Sequence, residues 1–216
     1  MAKLVTIDDA ADLVKDGMTV MIGGFMGCGS PHKIIDKLVE RGVKDLTLIC
    51  NDAGFPDYGV GKMVVKKQFK KIYASHIGLN PEAGRQMNEK ETEIVLIPQG
   101  TLAERIRCAG AGLGGFLTPT GVGTLVQEGK EVVNVGGRDY LLELPLRADI
   151  AIVEACRADR MGNLQYHGST RNFGEIMVTA ADTVIAEVRE TVAVGEIDPD
   201  YVHTPGIFID YIAGGN

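Results

Sequence analysis

The sequence predicts an α/β fold: an open, mostly parallel sheet covered by helices on both faces, with a small antiparallel hairpin as an insertion. Short apolar runs bounded by turn residues alternate with helix-like segments along the chain, which is typical of this class. The runs are apolar on both faces, as expected for parallel strands buried between two helical layers. The predicted buried strands are 19–22, 46–50, 72–74, 94–97, 150–153 and 184–186.

The first elements follow from local signals in the chain. Thr6 is suited to cap a helix that carries acidic residues in its first turn, and Gly17 lies just past the end of that helix. The apolar run 19–22 then passes through a glycine-rich stretch into a second amphipathic helix, which we predict to begin at Pro31 and to end at Gly42. The predicted order is therefore helix, strand, glycine loop, helix.

Residues 131–135 and 138–143 predict two strands joined by a tight two-residue turn at Gly136 and Gly137. Such a hairpin is antiparallel, so it interrupts the parallel pattern as an insertion. No Pro- or Ser-rich linker and no repeat of fixed period divides the chain. We therefore predict a single domain over 1–216, a length sufficient for one large hydrophobic core.

Composition narrows the classes of ligand. The formal net charge of −7 argues against nucleic acid and against an anionic membrane surface, because both require a basic face. The four cysteines are widely spaced without a C-x-x-C pair, and the four histidines show no metal-ligand spacing, so we expect no metal. Acidic residues near the N-terminus and the lack of a long apolar run predict a cytoplasmic protein.

Glycine is unusually abundant, with 28 residues, and four glycines lie between the 19–22 strand and the helix at Pro31. Without side chains, such residues let backbone N–H groups approach an anion, and the following helix adds the positive end of its dipole. The stretch is therefore suited to a polyanionic ligand. A tight strand-to-helix turn without any ligand is an equally good interpretation from spacing alone.

Gln99 directly follows the predicted strand 94–97, and Thr101 with Glu104 forms a capping-box pattern for the next helix. Ligands of open α/β sheets bind beyond the carboxyl ends of the strands. The side-chain amide of Gln99 is thus placed to donate a hydrogen bond to a carbonyl oxygen of a bound ligand. The alternative is a turn residue whose amide is in water.

The segment 110–123 contains a formal G-x-G-x-x-G pattern. A dinucleotide site requires a strand before this pattern and a helix after it, whereas here a helix-like stretch comes before it and Pro119 interrupts the residues after it. Residues 123–130 likewise lack the spacing of a P-loop. We predict a mobile or ligand-lining loop at 110–123 and no ATP site.

The stretch from Asp16 to Pro31 resembles the signature of the 3-oxoacid CoA-transferase family. That signature has Asp-Gly, two free positions, three aliphatic residues, Gly-Gly-Phe, three free positions, Gly, one free position and Pro, and every fixed position is matched. The likeness is greatest to bacterial α subunits that act on acetate, butyrate and acetoacetate. It continues along nearly the whole chain, through Asn51-Asp52, 75–78, 98–101, 110–123 and 204–206.

The resemblance implies a ping-pong reaction. A glutamate attacks an acyl-CoA thioester, CoA thiolate re-attacks the resulting anhydride, and a carboxylate accepts CoA from the glutamyl-CoA thioester. In this family the glutamate lies in a Ser-Glu-Asn-Gly-like segment of the β part, and this chain has no such tetrapeptide. The resemblance therefore implies a β-subunit partner, an α₂β₂ assembly and no cofactor, since CoA esters are the substrates.

The resemblance also assigns site residues. The corresponding glutamine of the family is implicated in holding the oxyanion, which gives Gln99 that catalytic role here. Coenzyme A is expected to bind the glycine stretch, that is Gly23, Gly24, Phe25, Met26, Gly27, Cys28 and Gly29.

Several other residues keep open roles. Glu154, which ends the apolar run 150–153, is the best internal candidate for a nucleophile, although a paired or solvated carboxylate is the commoner role at a strand end. We expect His76 to be hydrogen-bonded within the fold, and Asn51 and Asp52 to serve a turn or a subunit contact. Competing functions are the CoA-transferring subunit of a lyase, an acyl-CoA hydrolase, and a regulatory module that binds a CoA ester.

Overall fold

A computed structural model describes residues 1–215 of the chain. None of the helices in this part of the chain is long and apolar enough to cross a bilayer. The strands are β1 (Lys3–Val5), β2 (Thr19–Ile22), β3 (Leu46–Ile49), β4 (Phe69–Ala74), β5 (Glu93–Leu96), β6 (Phe116–Thr118), β7 (Val132–Val135), β8 (Arg138–Glu143), β9 (Ala148–Asp159), β10 (Leu164–Gln165), β11 (Ala181–Val192) and β12 (Tyr211–Gly214). The helices are α1 (Ile7–Asp12), α2 (His32–Arg41), α3 (Gly61–Val65), α4 (Pro81–Asn88), α5 (Gln99–Gly110) and α6 (Gly174–Met177).

Most strands belong to one nine-stranded sheet, with the order β1-β12-β11-β9-β2-β3-β4-β5 and with β10 paired to β9. Every neighbouring pair along that order is parallel, and the β9–β10 pair is antiparallel. The remaining strands form an antiparallel sheet in the order β6-β8-β7. The predicted α/β class, with its parallel sheet and small antiparallel insertion, is confirmed.

Helices cover both faces of the large sheet. On one face, buried residues of α1, α2, α3 and α4 pack with the central strands into a first apolar core. On the other face, α5 and α6 pack against β9 and β11 in a second core. Within β2, Val20 and Ile22 belong to the first core and Met21 to the second. Strands buried on both sides lack the polar alternation of one-sided sheets, which is why their apolar runs are continuous.

The first two helices begin close to the predicted residues, and α2 also ends as predicted, whereas α1 ends at Asp12, well before the predicted end at Gly17. Thr6 caps α1 through a capping box: its hydroxyl accepts the Asp9 N–H at 3.0 Å, and the Asp9 carboxylate accepts the Thr6 N–H. Helix α2 begins at His32, one residue later than predicted. It ends against Gly42, whose φ of 63° is left-handed and is available to glycine without strain. The Thr6 cap and the Gly42 end confirm the prediction.

The small sheet contains the predicted hairpin and one strand that was not predicted. β7 and β8 are joined at Gly136 and Gly137, whose φ values of 61° and 81° fit a tight two-residue turn. The third strand, β6, comes from the 110–123 segment, where a loop was expected. It is three residues long, and its pairing with β8 defines it rather than any local pattern.

Strands β9 and β11 are each twelve residues long, which greatly exceeds the predicted runs 150–153 and 184–186. Past those runs the strands carry charged side chains that pair across the ladder, such as Arg157 with Glu190 at 2.9 Å. A charged residue ends an apolar run but does not end a strand. The predictions for these two strands were therefore too short.

The order of strands reverses at one place in the large sheet. From β2 the chain adds β3, β4 and β5 on one side, and it later returns to add β9, β11 and β12 on the other. The carboxyl ends of β2 and β9 therefore flank a topological switch point. Open α/β sheets bind ligands in the crevice outside the strands at such a point.

Candidate active site

The residues that follow β2 form a compact turn, residues 23–30, which we call the glycine loop. It is anchored at the switch point, because the Gly23 N–H donates to a carbonyl oxygen of β9 at 2.9 Å. At its tip, Phe25 and Cys28 exchange two backbone hydrogen bonds of 3.0 and 2.9 Å. Between them, Met26 and the glycine after it have φ values of 51° and 78°. The loop is therefore a preformed tight turn, with the side chains of Met26 and Cys28 exposed.

Close contacts within the protein account for three glycines of this loop. A Cβ on Gly24 would lie 2.3 Å from the serine hydroxyl at the end of the loop, and one on Gly27 would lie 2.1 Å from the Tyr58 ring. A Cβ on Gly29 would lie 2.4 Å from the backbone carbonyl oxygen of Thr170. The fold requires small residues here with or without a ligand, so coenzyme A binding by this loop stays a prediction.

The amino end of α2 is occupied by a carboxylate of the same chain. The backbone N–H groups of Lys33 and Ile34 donate to the two oxygens of Glu187 at 3.1 and 2.9 Å. Glu187 comes from β11 and is only 6% exposed. The expectation that the dipole of this helix meets a ligand directly is therefore wrong for its first turn, where it stabilises a buried charge of the protein.

Glu187 makes the stability of the chain depend on pH. Burial raises its pKa above the ordinary value of 4.5, and the two helix N–H groups oppose that shift. A carboxyl whose pKa is raised by folding stabilises the fold most below the unfolded pKa, and this contribution is lost as pH rises through the folded pKa. We expect the unfolding free energy of the native chain, relative to Glu187→Gln, to fall as pH is raised above about 4.5.

Urea denaturation of the two proteins across this pH range measures the difference. A relative stability of the native chain that increases with pH would contradict the assignment, because the pKa of Glu187 would then be lowered by folding.

A second turn of the same form follows β3. Phe55 and Tyr58 form an antiparallel bridge like that of Phe25 and Cys28, and glycines flank both pairs directly. The two turns touch, since the Tyr58 ring packs against the glycine loop. The pattern G-F-x-x-x-G, present at both places, is the sequence signal for this local duplication, which a search for longer repeats misses.

Two adjacent residues connect the glycine loop with the residues that follow β4 and β5. Asp52 and Asn51 follow β3, and they are 3% and 1% exposed. The Asp52 carboxylate accepts the Met26 N–H at 3.2 Å. Asn51 Oδ1 accepts from Gln99 Nε2 at 3.0 Å and from Ser75 Oγ at 2.7 Å. Both residues therefore act in an internal hydrogen-bond network, and a subunit contact for them stays a prediction.

This network holds Gln99 in one orientation. Because Asn51 Oδ1 accepts two hydrogen bonds, the amide group of Asn51 is left to donate, and its Nδ2 does so to Asn172 Oδ1 at 3.3 Å. The Gln99 side chain is exposed beyond the carboxyl end of β5, as predicted. One of its two amide hydrogens is engaged, so the other is available to a ligand at the sheet edge.

Helix α5 does not begin as predicted. Its first residue is Gln99, and the residue before it, Pro98, is the N-cap without any side-chain hydrogen bond. Thr101 lies inside the first turn and is buried, and the Glu104 carboxylate pairs with Arg107 at 2.9 Å. The capping-box prediction is wrong because Pro98 is suited to extended backbone just before a helix, so the helix begins three residues earlier than it would with Thr101 as its N-cap.

Two titratable residues complete this edge. His76 joins Asp52 through an isolated parallel bridge, and its side chain is exposed. Burial raises the pKa of Asp52, whereas the N–H groups of Met26 and Gly54 act in the opposite direction. Within residues 1–215, the His, Cys, Asp and Glu side chains form no group of three suited to a metal ion. The structure thus brings together Asn51, Asp52, Ser75, His76 and Gln99.

Glu154 lies elsewhere, and it does not end a strand as predicted, since β9 continues to Asp159. It is 5% exposed, and its Oε1 accepts from Arg189 Nε at 2.7 Å. It lines a cleft of about 470 Å³ beside the glycine loop. Strands β2, β3 and β4 lie between its strand and the strand that precedes Gln99, so the fold does not bring the two residues together.

Known proteins resemble this chain in sequence over nearly its whole length. A family model described as coenzyme A transferase matches residues 4–215. The acetate CoA-transferase subunit alpha of Escherichia coli (strain K12) is 54% identical over 210 residues, which cover 97% of this chain and 96% of that protein. The acetoacetyl-CoA:acetate/butyrate CoA transferase alpha subunit of Clostridium acetobutylicum is 46% identical over 211 residues, which cover 98% and 97%.

Solved structures resemble it in fold. The acyl-CoA transferase YdiF from Escherichia coli O157:H7, in a thioester complex with CoA, superposes with a TM-score of 0.89 at 19% identity. The match covers 99% of this chain and 47% of that chain, so this chain spans about half the length of YdiF. Glutaconate coenzyme A-transferase from Acidaminococcus fermentans superposes with a TM-score of 0.86 at 17% identity, covering 99% and 75%.

Proposed function

Because this chain belongs to the coenzyme A transferase family, we propose that it is the α subunit of a heteromeric CoA-transferase. The complete enzyme moves CoA between acetoacetyl-CoA, or another short acyl-CoA, and a short-chain carboxylate such as acetate or butyrate. This activity is carried over from the names of the similar subunits of E. coli and C. acetobutylicum, which match the chain over nearly their whole length.

The arrangement of Gln99 is the observation that supports acyl transfer most directly. Attack on a thioester or anhydride carbonyl produces a tetrahedral oxyanion, which a preorganised N–H donor stabilises. Asn51 Oδ1 fixes the Gln99 amide at 3.0 Å, and the second amide hydrogen has no partner among residues 1–215. Gln99 therefore serves as an oxyanion donor, and Asn51 keeps its amide in position.

The proposed reaction has two matching halves. A carboxylate of the partner subunit attacks the acyl-CoA carbonyl, the C–S bond breaks, and CoA leaves as the thiolate. The thiolate then attacks the partner's carbonyl in the mixed anhydride, which releases the first acid as a carboxylate and leaves CoA as a thioester on the partner. In the second half, the acceptor carboxylate attacks the thioester on the partner and releases CoA thiolate. The thiolate then attacks the acceptor's carbonyl in the new anhydride, which forms the new acyl-CoA and frees the partner's carboxylate. No redox cofactor is needed, because no atom changes its oxidation state, and CoA itself enters and leaves as part of the substrates.

The nucleophile belongs to a β subunit in this proposal. Glu154 is buried and is paired with Arg189, and three strands separate its strand from the strand that precedes Gln99. The relatives named above are themselves alpha subunits, a name that implies a second kind of chain. An α₂β₂ assembly in the cytoplasm, with coenzyme A held at the glycine loop, completes the proposal.

We expect this chain alone to be inactive and its complex with the β partner to transfer CoA from acetoacetyl-CoA to acetate or butyrate. Spectrophotometric loss of acetoacetyl-CoA, measured with and without the carboxylate, tests both statements. Transfer by this chain alone would overturn the divided active site. Turnover by the complex without a carboxylate would favour the hydrolase, and binding of the CoA ester without any turnover would favour the regulatory module.

A further inference from the structure

The cleft beside the glycine loop, which we call the switch-point cleft, is separate from the edge that carries Gln99. It has a volume of about 470 Å³ and lies where the strand order reverses. Besides residues of the glycine loop, it is lined by Lys33 at the start of α2, by Glu154 of β9, and by Glu187 and Arg189 of β11. Its position is therefore that of the ligand crevice in open α/β sheets.

Arg189 is held in a manner suited to an oxyanion. Its Nε donates to Glu154 Oε1 at 2.7 Å, whereas its two Nη groups have no partner among residues 1–215. The Arg189 side chain is 67% exposed, and the Glu154 side chain that holds it is 6% exposed. A guanidinium fixed through Nε presents its remaining donors as a fork, which matches two oxygens of a phosphate or carboxylate.

The acceptor side of this pair is incomplete. Glu154 Oε2 is buried and has no hydrogen-bond donor within the described residues. Buried polar atoms are nearly always hydrogen-bonded, and a buried carboxylate oxygen without a donor is costly. Among residues 1–215, Arg189 Nε is therefore the one hydrogen-bond donor to this carboxylate, so the orientation of the guanidinium is tied to Glu154.

The charges of the cleft favour an anion in spite of its two carboxylates. Glu187 is matched by the N–H groups of Lys33 and Ile34, and Glu154 is matched by Arg189. Both acids are buried, whereas the side chains of Lys33 and Arg189 are exposed. The face that meets a ligand is thus cationic, in a chain whose formal net charge is −7.

We infer that the switch-point cleft binds the phosphate groups of the CoA ester, with Lys33 and Arg189 on phosphate oxygens. This inference rests on the proposed function, which supplies the ligand. Lys33 and Arg189 are then specificity residues for the nucleotide end of the substrate, remote from the bond that breaks. Glu154 is a positioning residue that acts through Arg189.

The test compares two substrates in the complete complex with the β partner. Acetoacetyl-pantetheine carries the same thioester as acetoacetyl-CoA but lacks the nucleotide and its phosphates. Arg189→Gln and Lys33→Met are each expected to raise KM for acetoacetyl-CoA about tenfold, with kcat changed less than about twofold, because they remove binding that does not change in the transition state. KM for acetoacetyl-pantetheine should stay the same in both variants.

Two further variants sharpen the comparison. Arg157→Gln is the matched control, since Arg157 pairs with Glu190 across the same two strands at 2.9 Å and does not line the cleft. It should leave both KM values unchanged. Glu154→Gln keeps an oxygen acceptor for Arg189 Nε, whereas Glu154→Ala does not. The ratio of KM for acetoacetyl-CoA to KM for acetoacetyl-pantetheine should therefore depart less from the native ratio in Glu154→Gln than in Glu154→Ala.

Calorimetric binding of CoA and of pantetheine to the same complexes gives a readout that does not depend on turnover. If Arg189→Gln and Lys33→Met weaken the binding of CoA but not that of pantetheine, the inference is supported, whether or not the complex has transferase activity. A complex without transferase activity would contradict the proposed function and not this inference. Equal weakening of CoA and pantetheine, or no weakening of either, overturns the inference and leaves the phosphates of CoA outside this cleft.

Discussion

Replacing Gln99 with methionine is expected to lower kcat for CoA transfer by about a hundred- to a thousandfold. Methionine has a similar length but donates no hydrogen bond, so the tetrahedral oxyanion loses its donor while the start of α5 keeps its packing. Since the hydrogen bond strengthens mainly in the transition state, KM for acetoacetyl-CoA should change less than about threefold. Steady-state kinetics of the complex with its β partner measure both constants.

Gln127→Met is the matched control for this experiment. Gln127 accepts the Gly123 N–H at 2.7 Å within a turn beside the small sheet, and it has no place in the site described above. Its substitution should leave kcat within about twofold of the native value. If Gln99→Met also retained the native kcat, or if both variants lost activity equally, Gln99 would have no part in stabilising the oxyanion.

Replacing Gly29 with alanine is expected to lower the unfolding free energy of the chain by roughly 2–6 kcal/mol. Its φ of +75° is strained for any residue with a side chain, which costs about 1–3 kcal/mol. The new Cβ would also lie 2.4 Å from the Thr170 carbonyl oxygen, a backbone atom that cannot rotate away. Overpacking of this kind adds about 1–3 kcal/mol, and urea denaturation measures the sum.

Gly17→Ala separates the two contributions. Gly17 has a φ of +81°, and a Cβ on it would meet no atom within 4 Å. This variant should therefore show only the backbone strain, about 1–3 kcal/mol. Equal losses in the two variants would mean that the glycine loop does not pack against Thr170 in solution.

Features set by neighbouring residues were predictable from the sequence. Thr6 caps α1 and Gly42 ends α2 because a hydroxyl and a missing Cβ act within a few residues of their own position. The paired glycines 136 and 137 likewise specify their turn without help from distant residues. In contrast, β6 exists because β8 supplies its hydrogen-bond partners, which no window around 110–123 contains.

The candidate site was predictable as single residues but not as a network. Gln99 and Asn51 each follow an apolar run, so both were expected at a strand end, yet the bond between them joins residues far apart in the chain. Glu154 and Glu187 lie opposite each other on neighbouring strands because of the register between β9 and β11, which the sequence does not show. For the same reason the occupation of the amino end of α2 by Glu187 could not be foreseen.

The position of β2 in the large sheet affects how this protein folds during its synthesis on the ribosome. Strands β2 to β5 are neighbours in both chain and sheet, so they can pair as they emerge, whereas the contact between Thr19 and Asp149 spans 130 residues. At a synthesis rate of about 5–20 residues per second, the free edge of β2 waits roughly 6–26 s for β9. During that interval the nascent chain presents an unpaired strand edge with one apolar core still uncovered, and it is then most open to misassembly and most in need of a chaperone.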